Sequence, residues 1–76
     1  MLKPQQVIDT YYLDARCMLL EIAATLDRYD AAVARSGDPA ADTAKLECLR
    51  KALALVADPV EKDQRTRKLL ELFATV

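Results

Sequence analysis

The sequence predicts an all-α fold, a small three-helix bundle with a long first helix. Three observations point to it. Of the 76 residues, 40 are Ala, Leu, Arg, Lys or Glu, against one Gly, three Pro and no Asn, His or Trp. A bias of that size marks long helices when it is periodic, and it excludes a β-sandwich, a collagen-like chain or a disordered tail. The apolar residues then recur at helical spacing, and strong start and stop signals fall at only three places.

The first helix is expected over about residues 4–35. Pro4 suits a first helical turn, where its missing N–H has no partner to lose. Ile8, Tyr12, Ala15, Leu19, Ile22, Leu26, Tyr29 and Val33 follow with alternating spacings of four and three, an unbroken heptad seam. Tyr11 and Met18 flank it on one side, Leu13 and Leu20 on the other, a stripe wide enough for neighbours on two sides.

Ser36-Gly37-Asp38-Pro39 combines a stop and a start. Gly37 suits the left-handed position after a helix, Asp38 an N-cap and Pro39 the first position of the next helix. The second helix is therefore expected over about 39–57, with Leu46, Leu49, Leu53 and Val56 on its apolar face. Asp58-Pro59-Val60-Glu61 repeats the start signal with a capping-box Glu, so a third helix is expected over about 59–75. Its first turns are polar, with Glu61–Arg65, Asp63–Arg67 and Arg67–Glu71 at i,i+4 spacing.

At 1.5 Å per residue the three helices measure roughly 48, 28 and 25 Å. The short connection at Gly37 predicts antiparallel neighbours for the first two. The third either folds back against them or continues along the first after a kink at Pro59, giving a long αα-hairpin. The fold-back matches the apolar pattern better, because it brings Leu69–Phe73 near Leu26, Tyr29, Leu46 and Leu49. A single helical domain over 1–76 is expected either way.

The inventory excludes many functions. Without His there is no imidazole base for a nucleophilic triad and no His-containing metal site. A single Gly builds no phosphate-cradling loop. No catalytic residue can be named, so the expectation is a protein that is not an enzyme and binds no cofactor or metal. No apolar run approaches a membrane span, and Met1–Gln6 lacks the apolar core of a signal peptide. A cytoplasmic protein is expected, with Cys17 and Cys48 as small apolar core residues in a reducing compartment. Their heights along antiparallel helices disfavour an intrachain disulfide.

Candidate sites are few. Tyr11, Tyr12 and Tyr29 could line a cleft with Arg16, but their heptad spacing favours a core or dimer seam. Asp14, Glu21 and Arg28 recur every seven residues on one face, two turns apart, too far to share a small ion. Lys62, Arg65, Arg67 and Lys68 form the main basic cluster and could contact phosphates. Acidic residues are interleaved with them, and no aromatic stands among them for base stacking.

The segments Tyr12-Leu13-Asp14-Ala15-Arg16, Leu19-Leu20-Glu21-Ile22-Ala23 and Leu26-Asp27-Arg28, with the ending Arg65…Leu69-Leu70-Glu71-Leu72-Phe73, resemble a recurrent pattern of small uncharacterised bacterial helical proteins. The resemblance implies an all-helical fold and attaches no activity to any residue.

The functional expectation is a protein–protein interaction or regulatory helical module that self-associates through its first helix. Val7, Ile8, Tyr11, Tyr12, Ala15 and Leu19 would form the interface of a homodimer, because so small a core leaves them uncovered. The alternative is a small RNA- or DNA-binding helical dimer using residues 62–68.

Overall fold

The computed structural model describes every residue from Met1 to Val76. The chain is all-helical: α1 (Pro4–Ser36), α2 (Ala44–Ala57), a 3₁₀ segment (Pro59–Gln64) and α3 (Arg65–Phe73). It divides into two compact units, Met1–Pro39 and Ala40–Val76.

The first unit is α1. Pro4 stands in its first turn. The Lys3 backbone N–H, which has no helical acceptor, donates to Gln6 Oε1 at 2.8 Å, and the Lys3 carbonyl accepts from Val7 N–H at 3.0 Å. The helix stops where expected. Gly37 adopts φ 81° and its N–H donates to the Val33 carbonyl at 2.8 Å, a left-handed cap that a residue with a Cβ adopts only under strain. At 33 residues, α1 runs about 50 Å.

The second unit is α2, the 3₁₀ segment and α3. The second helix starts five residues later than its Pro39 signal suggests. Residues 39–43 bring no large apolar side chain to bury, so a helical turn there would gain nothing from packing. Its start is set instead by Asp42, whose Oδ1 accepts the Ala44 N–H at 2.9 Å, and by the Thr43 carbonyl, which accepts from Glu47 N–H at 2.9 Å. The most buried side chains of α2 are Cys48 and Ala52, one turn apart. Leu49 and Val56, expected on the apolar face, are exposed, so the buried face is rotated from the leucine seam.

The third helix also starts late, at Arg65 rather than Pro59. The Asp58 half of the start signal forms, with Oδ1 accepting Val60 N–H at 2.9 Å. Residues 59–64 then wind as a 3₁₀ helix broken at Lys62 (φ 44°, ψ −123°). Val60 is the one large apolar residue there and is exposed, so no burial holds the segment in α-helical form. The kink turns the chain back. Phe73 and Val76 at the far end of α3 lie beside Lys45, Cys48 and Leu49 at the start of α2. α3 thus folds back on α2 and does not continue α2 beyond Pro59.

Arg65 fixes this reversal. Its Nε donates to the Val56 carbonyl at 2.9 Å, its Nη2 to Asp58 O at 2.9 Å and its Nη1 to Lys62 O at 2.5 Å. The last carbonyls of a helix have no intrahelical donors and carry its negative dipole end. A guanidinium there serves both needs, and it ties the end of α2 to the kink and to the first residue of α3.

Candidate interaction surface on the first helix

No residue of α1 is buried. The seam is least covered in its N-terminal half, where every residue to Glu21 is exposed. Ile8, Tyr12 and Leu19 expose 62, 63 and 58% of their surface. All six expected interface residues, Val7, Ile8, Tyr11, Tyr12, Ala15 and Leu19, lie on this stretch. In the C-terminal half, Ile22, Leu26, Tyr29 and Val33 are half-buried.

Length alone limits how far the chain can cover its own seam. The next-longest helix, α2, has 14 residues and α3 has nine, or about 21 and 14 Å. A seam on a helix of about 50 Å therefore remains at least half open. Exposed apolar patches recur on surfaces that bind a protein, a ligand or a membrane.

The charges of α1 are also unspent. The chain's two ion pairs, Arg67–Glu71 and Lys68–Glu61, both belong to the second unit. Asp9 accepts a hydrogen bond from Gln5 Nε2 at 3.0 Å and meets no cation.

The other sequence candidates do not converge. Tyr11 and Tyr12 sit 17 or more residues from Tyr29 on one continuous helix, about 25 Å along its axis, so the three cannot line one cleft. Asp14, Glu21 and Arg28 are exposed. No group of three His, Cys, Asp or Glu side chains is placed to hold a metal ion. Cys48 is buried, but Cys17 is exposed. The expectation of a core role for Cys17 is thus corrected, because it lies on the face of α1 opposite the seam. Both thiols are free.

The basic cluster is dispersed by the kink. Arg65 turns onto the backbone carbonyls described above. The Lys68 ammonium pairs with Glu61, whose Oε2 is shut off from solvent. Arg67 meets Glu71 at 3.9 Å. Of the four basic candidates, Lys62 alone has a side chain with no intrachain partner. Of the three i,i+4 pairs expected here, Arg67–Glu71 forms. Glu61–Arg65 and Asp63–Arg67 do not, because residues 59–64 lack α-helical geometry.

The second unit adds an open apolar groove of ≈ 320 Å³ lined by Lys45, Cys48, Leu49, Phe73 and Val76. No helix of the chain is long and apolar enough to cross a membrane. Compared with family models, with curated proteins and with solved structures, the chain matches none of them.

Proposed function

We propose that the chain is a protein–protein interaction or regulatory helical module that works as a homodimer joined through α1. The observation that carries this reading is the open N-terminal half of the α1 seam, set on a helix that the rest of the chain is too short to cover. Burying such a stripe between copies adds the apolar contact that a domain of this size cannot supply alone. The sequence has no histidine, so the imidazole-based nucleophilic chemistries are outside its inventory. A cytoplasmic setting suits two free thiols.

Light scattering at micromolar concentration tests the reading. A dimer is expected, and a stable monomer overturns it. The nucleic-acid alternative is the weaker one, since Arg65, Arg67 and Lys68 already have acceptors within the chain. A titration at two salt concentrations is expected to show no salt-dependent binding to RNA or DNA, because within residues 62–68 only Lys62 keeps a basic group without an intrachain partner to displace counterions.

A further inference from the structure

We propose that the second copy lies antiparallel on α1, with the dyad passing between Leu13 and Asp14. This rests on the self-association reading and adds to it the direction and register of the pair.

The seam assigns Tyr12 and Leu19 to heptad position a, and Ile8 and Ala15 to d. Tyr11 and Met18 then fall at g, and Asp9 and Arg16 at e. In an antiparallel pair, a faces d, e faces e and g faces g across the interface. With the dyad between residues 13 and 14, Tyr12 packs on the partner's Ala15 and Ile8 on the partner's Leu19. The largest seam residue thus meets the smallest, which fills space without a clash or a void. On one flank Tyr11 meets the partner's Met18, a sulfur–aromatic contact. On the other, Asp9 and the partner's Arg16 stand about 3 Å apart in height. Symmetry makes each contact twice.

Competing arrangements fail on the same residues. Moving the dyad half a heptad towards the C-terminus sets Arg16 against the partner's Arg16. Moving it as far the other way sets Asp9 against the partner's Asp9. In a parallel pair Tyr12 meets the partner's Tyr12, Ala15 meets the partner's Ala15, and Asp9 never faces Arg16. The observed structure leaves this register free to form. Both charged groups are exposed and without ion-pair partners. Overlap in this register runs from residue 4 to residue 23, which begins at the start of α1 and takes in the whole fully exposed stretch.

The area is adequate. Ile8, Tyr11, Tyr12, Met18 and Leu19 are each 56–63% exposed. At roughly 100 Å² apiece they supply about 1,000 Å² over both copies, the lower bound of specific interfaces.

The test uses the full chain and two readouts. First, the dimer dissociation constant is measured by sedimentation for Asp9→Arg, Arg16→Asp and the double exchange. Each single change is expected to weaken the dimer about tenfold by opposing like charges twice. The double exchange is expected to restore it. Positions 9 and 16 are seven residues apart on one helix face, too far to interact within a copy, so restoration reports on contact between copies. Second, a spin label is placed at Ala31, an exposed position on the outer face, as Ala31→Cys in a Cys17→Ser, Cys48→Ala background. The antiparallel register separates the two labels by about 50 Å along the axis, whereas a parallel pair holds them at one height. A dimer with no restoration, or with labels within about 25 Å (one interaxial spacing plus two label arms), overturns the register and leaves self-association standing. A monomer at all concentrations overturns both.

Discussion

The Arg65 guanidinium closes the end of α2, with Nε donating to the Val56 carbonyl at 2.9 Å. Two further donors of the same side chain reach Asp58 O and Lys62 O. Three carbonyls, one in α2, one at the Asp58 junction and one in the 3₁₀ segment, are thus satisfied by one planar group, whose fixed fork of donors a flexible ammonium cannot reproduce. Arg65→Lys is expected to lower stability by about 0.5–1.5 kcal/mol, the net value of intramolecular hydrogen bonds whose exposed carbonyls water can reach once the donor is lost. Urea unfolding followed by circular dichroism measures it. An unchanged midpoint would show that the three hydrogen bonds do not hold the turn.

Lys62 stands at φ 44°, a conformation that suits glycine and strains a residue with a Cβ. Its side chain makes no intrachain hydrogen bond or ion pair, so removing it sacrifices no contact. Lys62→Gly is expected to raise stability by about 0.5–1 kcal/mol, the strain relieved exceeding the added entropy of the unfolded chain. For a domain of this size that is a rise of a few degrees in Tm.

The Lys68–Glu61 pair ties α3 to the 3₁₀ segment. The Glu61 side chain is only 18% exposed, against 41% for Lys68. Removing the cation leaves a largely enclosed carboxylate without its partner. Lys68→Met is expected to destabilise the protein by about 1–2 kcal/mol, less than for a fully buried pair because Lys68 is partly solvated. The double variant Lys68→Met/Glu61→Met is expected to recover most of the loss in the same unfolding experiment.

The helical class, the long first helix and its stop at Gly37 were legible in the sequence because each rests on a strong local signal. The seam spacing and the single glycine leave little else to choose. The starts of α2 and α3 were not legible. Pro39 and Pro59 both look like first-turn prolines, but neither is followed at once by apolar residues whose burial would hold a helix. The burial of Cys48 was expected from its small apolar side chain, whereas that of Ala52 in place of Leu49 and Val56 was hidden, because the fold-back decides which face of α2 is covered. Arg65 read as one of four basic residues in a polar run. Its role as a cap depends on Lys62 taking a left-handed conformation, for which the sequence carries no glycine signal. The six expected interface residues, read from the seam and the shortness of the chain, all lie exposed on one stretch of α1.

Leu19 lies on the seam near the middle of α1 and is exposed within its own chain. A charge placed there should disturb the assembly, not the packing of the second unit. Leu19→Asp is expected to weaken association by about a hundredfold or more, since the interface would enclose two unpaired carboxylates, one from each copy. Glu21→Ala, on the outward face, is expected to leave it unchanged. Sedimentation of the two variants side by side measures the contrast.

Closure of the open α1 seam by a second copy of the chain is read out by light scattering on the intact protein across micromolar concentrations. A mass of twice the chain is expected, falling to the monomer on dilution. A mass of one chain throughout that range, with helicity intact, would contradict it.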